Sequence, residues 1–188
     1  MSRLIDGLLK PKVKWSQYLL KSLRPHIVPV DWSYRKPHKK SQLLGIYMPD
    51  VVKEQVKVEV IVDTSGSVGG QEMKEFLSEI VGIAQCFPYC EIGVTFVDAK
   101  VQNRYVVENG DIPKILSMVP RGGGGTRLEA GLERLKEDGA DVPVVCILTD
   151  GCDSYSHNEK DFPFEVVWVI SKNGQTRQPY GTIIKMDN

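Results

Sequence analysis

Five side chains in this sequence carry oxygen donors in a pattern suited to holding a metal ion. Asp63, Ser65 and Ser67 alternate in Asp63-Thr64-Ser65-Gly66-Ser67, Thr126 follows the run Gly122-Gly123-Gly124-Gly125, and Asp150 closes an apolar stretch just before Gly151. Two carboxylates and three hydroxyls are hard donors, which suit Mg²⁺ or Mn²⁺ better than zinc, an ion that prefers nitrogen and sulfur. Two carboxylates crowded together repel, so an empty site would raise one pKa or draw in a cation. Neutral hydroxyls leave an octahedral ion with open positions, and an incoming carboxylate can take one of them. Taken singly, each residue has a plainer use, because Asp and Ser after a strand often cap the helix or turn that follows.

These residues matter together only if the chain brings them to one edge, and its patterning predicts that it does. Val56–Val62 alternates and then becomes continuously apolar, as a buried strand does. From Gly69 to about Gln85, Met73, Phe76, Leu77, Ile80, Val81 and Ala84 fall on one helical stripe. A strand at Tyr89–Val97, a turn at Asp98-Ala99-Lys100 and a strand at Val101–Val107 read as an antiparallel hairpin. A short helix near 111–118 leads into the glycine run, and Leu128, Leu132 and Leu135 mark a helix ending at Gly139. Val142–Leu148, Phe164–Ile170 and Thr182–Met186 complete the strands. The alternation predicts a doubly wound, Rossmann-like α/β domain: a mainly parallel sheet with one antiparallel edge strand, covered on both faces by right-handed crossovers. In such sheets ligands collect beyond the carboxyl ends of the strands, where the winding reverses.

The chain of 188 residues has room for one domain with an appendage, and its 41% hydrophobic content suffices for a core. Its 24 basic and 24 acidic residues balance, which speaks against a nucleic-acid coat and against wholesale disorder. The balance is uneven along the chain: residues 1–50 hold ten Lys or Arg against three Asp, leaving the rest acidic. Trp15, Tyr18, Leu19 and Leu23 predict a short amphipathic helix near 12–23, followed over 24–55 by an extended connector rich in proline. Residues 1–54 are thus expected to form an N-terminal helix and a basic strap on the acidic body, 55–188. An alternative use for Arg35, Lys36, Lys39 and Lys40 is RNA binding. No apolar run approaches the ~20 residues of a membrane span, and the first ten residues do not form a signal peptide, so a cytoplasmic protein with four free thiols is expected.

Asp63-x-Ser65-x-Ser67, Thr126 after a glycine run, and Asp150 before Gly151 together resemble the metal-ion-dependent adhesion site (MIDAS) of von Willebrand factor A (VWA) domains. With Trp15 and Asp31-Trp32-Ser33-Tyr34-Arg35-Lys36-Pro37, the chain from about residue 11 onward is more narrowly similar to the C-terminal VWA-like domain of a bacterial metallopeptidase family. The resemblance implies an Mg²⁺ (or Mn²⁺) site with Ser65, Ser67 and Thr126 as hydroxyl ligands, and with Asp63 and Asp150 acting directly or through water. It implies a protein-binding module that captures an Asp or Glu of a partner protein, and by analogy a partner among AAA+ ATPase complexes. The four glycines would let the loop approach the metal and shift as ligation changes. Longer members of that family are expected to carry a zinc-peptidase HExxH motif; this sequence contains none, and peptidase activity is not expected of it.

Other readings rest on single features. Asp63 could be a phosphoryl-accepting nucleophile, but such sites need a nearby Lys and usually a second acid where Ser65 stands. A metal-dependent hydrolase, or the non-catalytic remnant of one, is the alternative function. The glycine run alone suggests a phosphate cradle, yet no GxxxxGK[ST] follows. His157 sits in a polar run and reads as a solvated loop residue, Asp98 as a hairpin residue, and Cys152 and Asp153 as neighbours of the site without a role.

Overall fold

A computed structural model describes residues 10–15, 17–19, 31–37, 40–47, 49–52, 57–87, 90–108 and 110–186. The connector expected over 24–55 contains regular structure. Strands β1 (Asp31–Pro37) and β2 (Pro49–Val52) pair antiparallel, with the short helix α1 (Ser41–Leu44) between them. Prolines do not forbid this ribbon, because Pro37 ends one strand and Pro49 begins the other, where an amide donor is dispensable. The helix expected near 12–23 begins at Trp15 and includes 17–19, with 10–14 non-helical; residues 20–23 lie outside the described residues.

The body is a six-stranded sheet of β3 (Lys57–Asp63), β4 (Glu91–Val97), β5 (Val101–Val107), β6 (Val144–Thr149), β7 (Glu165–Ile170) and β8 (Thr182–Lys185). Their order is β5-β4-β3-β6-β7-β8, all parallel except the β4–β5 hairpin. β3 and β6 lie at the centre with both faces covered, which is why their sequences are nearly continuous apolar runs.

One face packs on helix α2 (Gly70–Cys86), whose Phe76, Ile80, Ile83 and Ala84 meet Val58, Val60, Val62, Val94 and Phe96, joined by Ile115 of α3 (Ile112–Leu116). Trp15 and Leu19 are buried in the same cluster. A buried carboxylate holds that N-terminal segment: Glu79 of α2 accepts from the Lys12 amide at 2.7 Å, the Val13 amide at 3.3 Å and the Trp15 indole at 2.8 Å. Burial pushes the Glu79 carboxyl up, and those three donors oppose the push.

The other face is covered by one helix and by loops. Helix α4 (Glu129–Glu137) supplies Leu132 and Leu135, but the links β6–β7 and β7–β8 contain no α-helix among the described residues, only a 3₁₀ turn at Glu159–Asp161. Aromatic rings fill that space instead. Tyr155 meets Trp168 edge-on at 5.0 Å, Phe162 stacks on Phe164 at 5.6 Å, and the Trp168 indole donates to the Tyr180 carbonyl at 2.8 Å. Large rings cover the sheet with few residues, so a helix is not needed there. All four cysteines are free, and no described helix is long and apolar enough to cross a membrane.

Candidate functional site

The strand order decides which loops meet. The chain winds outward from β3 to β4 and β5, then returns to lay β6 on the other side of β3. The carboxyl ends of β3 and β6 are therefore neighbours at the switch point of the winding. Val62 pairs with Leu148, which places Asp63 beside Thr149 at the ends of the two strands.

Asp63 is fully buried, and both its oxygens are engaged: Oδ1 accepts from the Ser65 amide at 2.8 Å and Oδ2 from the Thr149 hydroxyl at 2.6 Å. Burial pushes its carboxyl above the ordinary range against those hydrogen bonds, and the negative charge of Asp150 pushes the same way. Ser65 and Ser67 bring their hydroxyl oxygens to 3.1 Å from each other. Asp150 follows the end of β6, nearly buried, and its Oδ1 accepts from the Cys152 amide at 2.9 Å. Thr126 lines a cleft of about 390 Å³ together with Gly151, Cys152, Asp153, Gln175 and Arg177. Asp63, Ser65 and Ser67 are thus tied into one cluster, Asp150 is coupled to Asp63 through its charge, and Thr126 stands on the cleft wall with Gly151.

The glycine loop does not stand free. Gly123 donates its amide to the Thr64 carbonyl at 2.8 Å, Gly66 donates to the Gly124 carbonyl at 3.1 Å, and Gly124 donates to Oδ2 of Asp98 at 3.3 Å. The Thr64 hydroxyl donates to the Arg121 carbonyl at 2.9 Å, and a Cβ on Gly122 would lie 2.2 Å from that hydroxyl oxygen. Glycine is required there because the two loops touch backbone to side chain. The amides of Gly123 and Gly124, which a phosphate cradle would need, are spent inside the protein.

Several residues that order this edge are not evident in the sequence. Thr149 follows the apolar stretch without a motif of its own. Asp98 is a hairpin residue as expected, accepting from the Lys100 amide at 3.1 Å, but the same carboxylate also holds the glycine loop. Asp153, a neighbour without a role in the sequence reading, caps α4 by accepting the Leu128 amide at 2.8 Å. His157 is not free in solvent: its Nδ1 is 3.1 Å from Glu129 Oε2, and its ring lies against Phe162. Glu129, buried at the start of α4, accepts from the amides of Ser156 and His157, both at 2.9 Å, and from the Ser156 hydroxyl at 2.7 Å. Burial would raise its carboxyl, but these donors outweigh burial and hold it at about 2.

Among the described residues, no group of three or more His, Cys, Asp or Glu side chains is placed to hold a metal. What the two central strands gather is a pair of carboxylates among hydroxyls, and the neighbouring cleft, entered by Thr126 and Gly151, is lined among the described residues by one cation, Arg177.

The family described as VWA-like domain (DUF2201) matches residues 58–187 of this chain. Among solved structures, an aerotolerance-related membrane protein of Bacteroides fragilis is 15% identical over 61% of this chain and 67% of its own, with a TM-score of 0.46. The conserved hypothetical protein BatB of Bacteroides thetaiotaomicron is 14% identical over 69% of this chain and 78% of its own, with a TM-score of 0.48. The ArnB paralog VWA2 of Sulfolobus acidocaldarius is 15% identical over 63% of this chain and 35% of its own, with a TM-score of 0.44. No curated protein matches the chain in sequence.

Proposed function

This chain belongs to the VWA-like domain (DUF2201) family, and from that premise we propose that it is a non-catalytic binding module in which a hard divalent cation, Mg²⁺ or Mn²⁺, captures a carboxylate of a partner protein. The observation that carries the reading is the pairing of buried Asp63 at the end of β3 with Asp150 after β6, beside two serine hydroxyls. The 3.1 Å between the Ser65 and Ser67 oxygens is close to the roughly 3.0 Å that separates adjacent ligands around an octahedral ion with ~2.1 Å bonds. The donor set also fits by its chemistry: two acids and three hydroxyls suit a hard ion, and among the described residues no His or thiolate cluster competes for a soft one.

Ser65, Ser67 and Thr126 would hold the ion directly. Asp63, with both oxygens already accepting hydrogen bonds, would support it from behind, and Asp150 would supply the second negative charge. When bound, the cation supplies an electrophilic position for an acidic side chain of the partner.

Thermal unfolding in EDTA and with Mg²⁺, Mn²⁺ or Ca²⁺ tests the reading. Metal at ~100 times its dissociation constant stabilises a fold by about 2.7 kcal/mol, a rise in Tm of several degrees for a chain of this size. That rise should be present with Mg²⁺ or Mn²⁺ and absent in Asp63→Ala and Asp150→Ala, each still cooperatively folded. No stabilisation of the wild type by any cation, with or without added acetate, would refute the metal site. Phosphoester or peptide hydrolysis lost in Asp63→Ala would favour an enzyme instead.

A further inference from the structure

Gln175 and Arg177 of the loop between β7 and β8 line the same cleft as Thr126, and that loop is fastened to the residues that end β6. Ser171 donates its amide to the Thr149 carbonyl at 2.9 Å, and Gln175 donates to the Asp150 carbonyl at 2.8 Å. Gln178, buried, donates from Nε2 to the Tyr155 hydroxyl at 3.1 Å. The contact is close enough that a Cβ on Gly151, whose φ is +78°, would lie 1.9 Å from the Gln175 carbonyl oxygen, and one on Gly174 would lie 2.5 Å from that of Asp150. The backbone carrying Arg177 is thereby held in fixed relation to Asp150.

Arg177 is exposed and lines the cleft. Arg104, Arg127 and Arg134 are each held by a carboxylate, Glu59, Glu133 and Asp138 respectively. Arg177 makes no ion pair with any described residue, although Asp153 lines the same cleft. An unpaired guanidinium on the cleft wall, carried by a loop that is bonded to the backbone of Asp150, is open to a carboxylate from outside, which it can bind through two parallel hydrogen bonds. A cleft of about 390 Å³ falls in the range of small-ligand sites and has room for more than one carboxylate group.

We propose that Arg177 is a second anchor of the cleft, taking a second carboxylate of the same partner segment, so that the element recognised is a pair of closely spaced acidic side chains and not a lone Asp or Glu. This rests on the capture of a carboxylate by the metal-loaded site. It makes Arg177 the residue that distinguishes one acidic segment from another, while the ion supplies the common requirement for an acid.

The probes are two short peptides blocked at both ends, acetyl-Gly-Asp-Gly-Gly-amide and acetyl-Gly-Asp-Gly-Glu-amide, titrated into isotopically labelled protein with Mg²⁺ and with EDTA while amide shifts are followed. The second acid should tighten Mg²⁺-dependent binding roughly threefold to tenfold, the range of an exposed to partly desolvated Arg–carboxylate pair. Arg177→Gln should bring the two peptides to parity, while the single-acid peptide still binds in Mg²⁺ and not in EDTA. Arg134→Gln, which removes the same charge farther along α4, where it pairs with Asp138, should keep the preference. Equal binding of both peptides by the wild type, or a preference that survives Arg177→Gln, overturns the second anchor and leaves the capture reading standing. No Mg²⁺-dependent binding of either peptide overturns the capture reading, and the anchor with it.

Discussion

Thr149 donates its hydroxyl to Oδ2 of Asp63 at 2.6 Å, from the last residue of β6 to the last residue of β3, across the seam where the winding of the sheet reverses. The same Thr149 oxygen accepts the Gly151 amide at 3.0 Å, so one side chain orders both the buried acid and the loop that carries Asp150. Removing the donor with Thr149→Val leaves Asp63 Oδ2 buried without its partner. Stability should fall by about 1–3 kcal/mol, read as a lower urea midpoint at unchanged slope, and Thr149→Ser should recover most of it. A midpoint equal to that of the wild type in Thr149→Val would show that the bond does not stabilise the fold.

The Asp98 carboxylate joins the β4–β5 hairpin to the glycine loop through the amides of Lys100 and Gly124 and the Gln102 side chain. In Asp98→Ala the amide of Gly124 should exchange with solvent at least tenfold faster, as a loop released from one of its anchors does, while amides in β3 keep their protection. Unchanged exchange at Gly124 would mean that the bonds to Thr64 and Gly66 suffice.

Glu129 predicts an acid limb of the stability curve. Its carboxyl, held at about 2 in the fold against an ordinary 4.5 in the unfolded chain, contributes stability that is fully present above about pH 4.5 and is lost as pH falls toward 2. The contribution is on the order of 3 kcal/mol at most. Urea midpoints measured from pH 6 down to pH 2.5 should fall for the wild type and fall less steeply for Glu129→Gln. Parallel curves for the two proteins would remove Glu129 as the source.

Trp15 is 1% exposed and donates to Glu79, so the N-terminal segment is part of the core of the body. Trp15→Ala should cost about 3–5 kcal/mol through lost burial and an under-satisfied Glu79, a fall in Tm of roughly ten degrees for a chain of this length. A loss below about 1 kcal/mol would show that the segment adds little to the fold.

Much of the body is legible in local sequence. The hairpin at Asp98-Ala99-Lys100, the strand ending at Asp63 and the helix bearing Phe76 and Ile80 follow from periodicity, because the spacing of apolar residues reports which side of an element leaves water. The second face is less legible. Phe162, Phe164 and Tyr180 lie in stretches without period, and only the folded chain shows that they replace a helix.

By itself the sequence determined the types and order of the strands and helices, and with the doubly wound winding rule it placed Asp63, Ser65, Ser67, Thr126 and Asp150 at strand ends and in adjoining loops. Both follow from short-range causes: burial of apolar side chains, turn chemistry and the handedness of crossovers. Only the tertiary structure decided that Thr149 is bonded to Asp63, that Glu79 receives the amides of Lys12 and Val13, that Asp98 clasps Gly124, and that the loop carrying Arg177 is bonded to the backbone of Asp150. In sequence, Glu79 on a helix looks like any solvated charge, and its burial is settled by a segment more than sixty residues away. Such partners are chosen by the desolvation of polar groups at long-range contacts, which no local pattern of residues records.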